Sequence, residues 1–224
     1  QLRVAVSEDL GGMPIDPGIR ATFRERIGIV KHAFRSCEAR DPDMAGADEA
    51  FGIIRALNFL AAHKERYEKH RDKLGPNIVA NYEQGLAMSA ADAARGHAVQ
   101  TRIYRAFQEF FAASDILICP TVPVPPFPVE QRYCDVIDGK KLPTYYSWLA
   151  PTYYFSLTGH PCVSIPCGLE PTGTPFALQV CGPARSDKFV LDVAHALEAL
   201  LARDKRTARP IPDLEKLRSW RRPL

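Results

Sequence analysis

Serine hydroxyl groups are the first candidates for chemistry in this sequence, because an activated hydroxyl can attack a carbonyl carbon. The nine serines are scattered singly along the chain: Ser7, Ser36, Ser89, Ser114, Ser147, Ser156, Ser164, Ser186 and Ser219. A serine nucleophile also needs backbone N–H groups that stabilise an oxyanion, and a glycine-rich loop can supply them. None of these serines lies in such a loop. The sequence therefore predicts no catalytic residue in this chain.

A cysteine is the alternative nucleophile. His160 and Cys162 stand two residues apart and would share one face of a strand. A catalytic cysteine needs a lowered pKa, whereas Cys162 stands in an apolar run, so the pattern favours a buried structural thiol. The same histidine could bind zinc together with Cys162, Cys167 and Cys181. No paired Cys-x-x-Cys or His-x-x-x-His spacing supports that site, and we predict no bound metal.

The aromatic segment 145–156 is the best candidate for substrate binding. Tyr146 and Trp148 could form an apolar wall for an acyl or aryl group, and Ser156 and Thr158 could add polar contacts. The same rings could instead pack in the core beneath a long helix. The sequence leaves both interpretations open.

Four short apolar runs are predicted to form the strands of a sheet, at about residues 2–6, 115–119, 162–166 and 176–181. Proline and glycine close each of the last two runs, so we expect buried strands joined by a tight connection. Asp16 followed by Pro17 is typical of a helix start. The polar residues 39–47 are predicted to form a connection.

Helical patterns fill the chain from about residue 46 to residue 113, and we expect them to form a cap over the sheet. A final helix is predicted after Ser186, which would be its N-cap. The sequence shows no internal repeat and no low-complexity linker. A single domain over residues 1–224 is the simplest interpretation.

Composition is that of an ordinary globular protein, with 46% apolar and 25% charged residues among 224. The net charge of +3 is small, and we expect no nucleic acid partner. Basic residues near the C-terminus are predicted to form a solvated tail; they are Arg203, Lys205, Arg206, Arg209, Arg218, Arg221 and Arg222. No apolar run is long enough to cross a bilayer, and we expect no membrane association. Six cysteines without a disulfide pattern favour reduced thiols and a cytoplasmic location.

Three motifs near the C-terminal end carry a family resemblance: LTGHP at 157–161, VSIPCG at 163–168 and PFALQVCGP at 175–183. In this order and spacing they resemble the C-terminal signature of the amidase signature family of serine hydrolases. The resemblance extends over nearly the whole chain, from LRVAVSEDLGG at 2–12 onwards. A chain that enters its first strand directly after Gln1 is also expected to be a piece of something longer.

The resemblance implies an α/β fold with a mixed β-sheet flanked and capped by helices. In that family a serine, a second serine and a lysine lie in the N-terminal half, form an acyl-enzyme with an amide substrate, and use no cofactor. The expected role of this chain is then the C-terminal part of an amidase, inactive alone, which supplies sheet and substrate wall. Its expected partners are a small-molecule amide in the complete enzyme and the missing N-terminal half, or a second copy. The alternative is a non-catalytic binding protein that retains a truncated amidase fold.

Overall fold

The computed structural model describes residues 1–219. Its helices are α1 Pro17–Val30, α2 Ala47–His70, α3 Pro76–Leu86, α4 Ala90–Ala113, α5 Ala150–Thr158, α6 Asp187–Leu201 and α7 Leu214–Ser219. Its strands are β1 Arg3–Val6, β2 Ser36–Ala39, β3 Ile116–Pro120, β4 Val136–Ile137, β5 Lys140–Lys141, β6 Cys162–Leu169 and β7 Pro175–Cys181. Within these residues, no helix has both the length and the apolar character that crossing a bilayer requires. Arg221 and Arg222 of the predicted tail lie outside the described residues.

Five strands form one sheet in the order β2-β1-β3-β7-β6. The strands β2, β1 and β3 run parallel, whereas β7 runs antiparallel to both β3 and β6. The sheet is therefore mixed, which confirms the predicted α/β class. All four predicted strands are present, and β2 is a fifth that the sequence did not reveal.

One face of the sheet, called the aliphatic face below, packs against α1 and α6. Its buried residues are mostly branched and apolar, and the strands contribute Val4, Ile116, Ile118, Ile165, Leu178 and Val180. Facing them, the helices contribute Ile19, Phe23, Ile27, Val193 and Leu197. The alternation of side chains along a strand sends every second residue to this face.

The opposite face, called the aromatic face below, packs against α2, α4 and α5. Its buried rings are Phe107, Phe110, Phe111, Tyr146, Tyr153, Tyr154 and Phe155. The strands contribute Leu117 and Cys119 from β3 and Cys181 from β7. The helices of the predicted cap thus include two that cover this face of the sheet.

Polar side chains begin two of the helices, and the sequence predicts the first of them. Asp16 Oδ1 accepts hydrogen bonds from the backbone N–H groups of Gly18 and Ile19, at 2.8 and 3.1 Å. Ser89 begins α4 with a capping box, because its backbone N–H and the carboxylate of Asp92 also pair, at 2.9 Å.

The predicted cap at Ser186 is wrong in its chemistry, although α6 begins where expected. The Ser186 hydroxyl donates to the carbonyl oxygen of Pro183, at 2.7 Å, and accepts no hydrogen bond from the first turn of the helix. The side chain therefore closes the preceding turn instead of satisfying the N-terminal N–H groups of α6.

The connection between β6 and β7 is tight, as predicted, and Glu170 organises it. The buried Glu170 carboxylate accepts hydrogen bonds from the backbone N–H groups of Thr172 and Thr174, at 2.9 and 3.1 Å. Gly168 comes just before this turn with a φ of +74°, and a Cβ there would overlap the carbonyl oxygen of Arg206. A glycine is required at this position for both reasons.

Candidate functional site

Tyr146 and Trp148 lie immediately before α5, at a short 3-10 turn over Ser147–Leu149. Both side chains line a cavity of about 330 Å³. Tyr145, next to Tyr146, also lines it. Further walls come from α2, from the start of α3 and from the loop before β4, and they include Phe51, Arg55, Asn77, Arg132 and Tyr133. Most of these side chains are aromatic, so the cavity presents ring faces and edges with a cationic rim.

Arg55 reaches this cavity from α2 and orients Tyr145. Its guanidinium donates to the Tyr145 hydroxyl at 2.7 Å and to Asn81 Oδ1 at 3.3 Å. The same guanidinium carbon lies 5.0 Å from the ring centre of Tyr146, within cation–π distance. In residues 1–219 no carboxylate lies within ion-pair distance of Arg55, so aromatic rings and amide oxygen take the place of an anionic partner.

Asn81 completes this polar group from α3. It is buried, and its side-chain amide donates to the Tyr145 hydroxyl at 2.8 Å. Sequence patterns do not single out Arg55 or Asn81, because each looks like an ordinary polar residue of a helix. Only the packing of α2 on α3 brings them to Tyr145.

Ser156 and Thr158 lie at the other end of α5 and do not line the cavity. From Ala150 to Ser156 the helix advances roughly 9 Å along its axis. Ser156 is exposed, and its hydroxyl donates to the carbonyl oxygen of Thr152 at 3.2 Å. The structure therefore brings Tyr146 and Trp148 together, and it separates them from Ser156 and Thr158.

Thr158 is buried beside His160, with its hydroxyl 2.8 Å from His160 Nδ1. The imidazole lies among rings of α4, and its centre is 4.7 Å from that of Phe107. Burial disfavours the charged imidazolium and lowers the pKa of His160 to about 4. The Nε2 atom has no hydrogen-bond partner among the described residues. This histidine is neutral at pH 7 and part of the packing.

The predicted arrangement of His160 and Cys162 on one strand is wrong, because β6 begins at Cys162 and His160 precedes it. The prediction that Cys162 is buried is also wrong. Its side chain is exposed, and it lies at the start of β6, which is one of the two edge strands of the sheet. Apolar neighbours in the sequence indicate a strand, but they do not reveal which strand forms the edge.

Eight of the nine serine hydroxyls of residues 1–219 make hydrogen bonds within the chain, Ser36 being the exception. Ser7 donates to Asp41 at 2.6 Å, Ser147 pairs with Thr144 at 2.7 Å, and Ser164 pairs at 2.9 Å with Thr121, the residue that follows β3. Across the described chain, none of these hydroxyls bonds to a histidine or lysine nitrogen. Over the same residues, no cluster of three or more potential metal ligands is found.

Known proteins with similar sequences are amidases and related enzymes. The sequence matches the amidase family over residues 1–191. It is 34% identical over 223 residues to a glutamyl-tRNA(Gln) amidotransferase chain of Brevibacillus brevis, in an alignment that covers 88% of this chain and 44% of that protein. It is 23% identical over 202 residues to an acylamidase of Rhodococcus erythropolis, covering 89% of this chain and 42% of the relative.

Solved structures show the same fold. The crystal structure of an amidase superposes with a TM-score of 0.79 at 20% identity, over 89% of this chain and 46% of the other. A bacterial aryl acylamidase of the amidase signature enzymes superposes with a TM-score of 0.77 at 18% identity, over 89% and 43%. The chain spans less than half the length of these relatives. The matched residues and the shared fold together establish that the chain belongs to the amidase signature family.

Proposed function

We propose that this chain is the C-terminal part of an amidase and acts on a small-molecule amide only together with a catalytic N-terminal half. One observation carries the proposal: the chain matches 42% to 46% of the length of its relatives while belonging to their family. The hydrogen bonds of the serine hydroxyls support it. A serine nucleophile needs a base within hydrogen-bond reach, and among the described residues no serine hydroxyl bonds to a histidine or lysine nitrogen. Residues 1–224 are one structural unit in this proposal.

In the complete enzyme a serine attacks the amide carbonyl, the amine leaves, and water hydrolyses the resulting acyl-enzyme. This chain contributes the sheet that carries the site and a wall that contacts the substrate. Tyr146 and Trp148 serve as the wall, because their rings line a cavity large enough for a small acyl or aryl group. Thr158 acts indirectly, by holding His160, and Ser156 offers an exposed hydroxyl.

An assay of the pure 224-residue chain with a chromogenic anilide tests whether hydrolysis requires the N-terminal half. We expect no hydrolysis above that of the buffer. Hydrolysis that a serine-directed reagent abolishes would contradict the proposal. The coding sequence upstream gives a second test, because a glycine- and serine-rich stretch with an earlier lysine in the same frame is expected there.

The substrate wall is tested in the complete protein with Trp148→Ala. We expect KM for an aryl amide to rise roughly tenfold with kcat little changed, since about 1.4 kcal/mol of apolar contact is lost. Trp148→Phe is the matched variant and should retain most of the binding. An unchanged KM in Trp148→Ala would remove Trp148 from the substrate wall.

The open edge of the sheet favours a second candidate function. Within residues 1–219, β6 pairs with β7 on one side only. An edge strand can pair with another chain, so a non-catalytic binding protein that self-associates through β6 is the alternative. Light scattering separates the two, together with the upstream sequence: a stable dimer without a catalytic half upstream would favour the binding protein.

A further inference from the structure

Two cysteines stand directly opposite each other on β6 and β7. Cys162 and Cys181 are register partners in this antiparallel pair. The backbone N–H of Gly182 donates to the carbonyl oxygen of Pro161 at 3.1 Å, so the neighbouring pair is the hydrogen-bonded one. Because the two kinds of pair alternate, Cys162 and Cys181 form a non-hydrogen-bonded pair, in which side chains share a face and lie closest.

This register suits a disulfide bond. The Cα atoms of a non-hydrogen-bonded pair are separated by about 4.5 Å. A disulfide spans Cα separations of about 4.4–6.8 Å. The Cys181 thiol donates to the carbonyl oxygen of Gly182 at 3.8 Å, and burial raises its pKa. The register therefore places the two cysteines at a backbone separation that a disulfide can span.

The other cysteines are placed differently. Cys119 lies opposite Gln179, whose amide contacts its sulfur at 3.7 Å. Cys167 is buried on the aliphatic face, beyond the irregularity in β6. Among the strand pairs of residues 1–219, only Cys162 and Cys181 place two cysteines opposite each other.

The two thiols differ in access to solvent. Cys162 is exposed on the edge strand β6, whereas Cys181 is fully buried at the end of β7, which has a neighbouring strand on each side. A small oxidant therefore reaches Cys162 first, and Cys181 is the thiol placed to react with the oxidised product. An exposed thiol beside a second one is the arrangement found in peroxide-sensitive cysteine pairs.

We propose that Cys162 and Cys181 are an oxidisable pair, which hydrogen peroxide converts into a cross-strand disulfide between β6 and β7. The thiolate of Cys162 attacks one oxygen of the peroxide, the O–O bond breaks, and hydroxide leaves, which produces a sulfenic acid. The sulfur of Cys181 then attacks the sulfenic sulfur. The S–S bond forms, the S–O bond breaks, and the departing oxygen leaves as water with the proton of Cys181. In total two thiols lose two hydrogen atoms and one peroxide becomes two waters.

The test treats the folded 224-residue chain with hydrogen peroxide, blocks the remaining thiols and measures the mass. The expected product has lost two hydrogen atoms and retains four thiols that react with the blocking reagent. Trypsin leaves residues 142–185 in one peptide, and chymotrypsin then cuts after Phe176 and separates Cys181 from Cys162. The expected fragments stay joined until a reductant is added.

Variants assign the partners. Cys162→Ser and Cys181→Ser should each abolish the linkage, whereas Cys167→Ser, the matched control in the same tryptic peptide, should retain it. Oxidation of the chain unfolded in guanidinium is the control for specificity, because it should give mixed pairings. Three results would overturn the proposal: a link from Cys181 to Cys119, oxidation of Cys162 to sulfinic acid without any link, or the same mixture from folded and unfolded chains. The inference rests on the strand register and holds independently of the proposed amidase role.

Discussion

The two faces of the sheet are packed by different chemistry. The aliphatic face joins branched side chains of the strands to α1 and α6, and a polar link crosses this layer where Arg26 of α1 donates to the carbonyl oxygen of Leu169 at the end of β6, at 2.8 Å. The aromatic face joins rings of α2, α4 and α5 to the same strands. Its polar links include one from the buried Gln179 of β7, between β3 and β6, to the carbonyl oxygen of Pro151.

The difference indicates that the aliphatic face supports the sheet, whereas the aromatic face fixes the positions of particular side chains. Apolar packing is not directional, so the aliphatic face needs the correct volume more than particular atoms. A hydrogen bond between elements fixes their relative position, and it is costly to leave one partner without the other. The candidate cavity with Tyr146 and Trp148 lies on the aromatic side, where positions are fixed in this way.

The largest effect is expected from a cavity in the aliphatic face. Ile118 is fully buried in β3. Ile118→Ala should lower the free energy of unfolding by about 2–5 kcal/mol, because apolar contacts are lost and a void remains. Ile118→Val is the matched control, at about 0.5–1.5 kcal/mol. Denaturant unfolding measures both, and equal losses for the two variants would mean that volume does not govern this face.

The aliphatic face was also the more predictable one. Its strands are short apolar runs, and their residues alternate in a way that the sequence shows directly. The exception is β2, Ser36–Ala39, which is only four residues long, includes the polar Ser36 and Glu38, and has no fully buried residue. Its pairing with β1 comes from contacts distant in sequence, and no local pattern indicates it.

The candidate site was predictable only in part. Aromatic residues near Tyr146 were visible in the sequence, but the cavity they line also depends on Arg55 and Asn81 from two other helices. Proximity in the sequence alone groups the four predicted substrate residues. The helical geometry of α5 then separates its first turn from Ser156 and Thr158.

The second largest effect is expected on the aromatic face, where stability should depend on pH because of His160. The pKa of His160, on the aromatic face, lies at about 4 in the folded chain, below its ordinary value of 6.5, because burial disfavours the charged ring. Between these values the unfolded chain binds a proton that the folded chain does not. Stability should therefore fall as the pH falls from 6.5 to 4, by up to about 3 kcal/mol from this group.

His160→Gln removes this contribution and keeps a polar side chain beside Thr158. Unfolding measured across the same pH range should fall less steeply in the variant than in the wild type. Parallel curves would show that His160 becomes protonated in the folded state, and the aromatic face would then be open to water.

A smaller effect is expected from the link between the sheet and α5. Gln179 is buried in β7 and donates to the carbonyl oxygen of Pro151 at 2.7 Å. Gln179→Leu should cost about 1–2 kcal/mol, since the hydrogen bond is lost while the volume is nearly kept. Hydrogen exchange should also become faster in the first turn of α5. Leu178→Met, the neighbouring residue on the aliphatic face, is the control and should leave exchange in α5 unchanged.

The smallest effect is expected from the link between α5 and α2. The Tyr153 hydroxyl donates to Asp48 Oδ1 at 2.5 Å. Tyr153→Phe should cost only about 0.5–1 kcal/mol, because the exposed Asp48 carboxylate can bind water instead. Tyr104→Phe, at an exposed ring of α4, is the matched control and should stay within about 0.5 kcal/mol of the wild type.

A double-mutant cycle of Tyr153→Phe with Asp48→Ala isolates this bond from the packing of the ring. A positive coupling energy would mean that the aromatic face is held by directional contacts in addition to apolar ones. A coupling energy of zero would mean that stacking of Tyr153 on Phe51, with ring centres 4.1 Å apart, is sufficient to hold α5. In that case apolar packing alone would hold both faces, and ring packing alone would determine the shape of the cavity beside Tyr146.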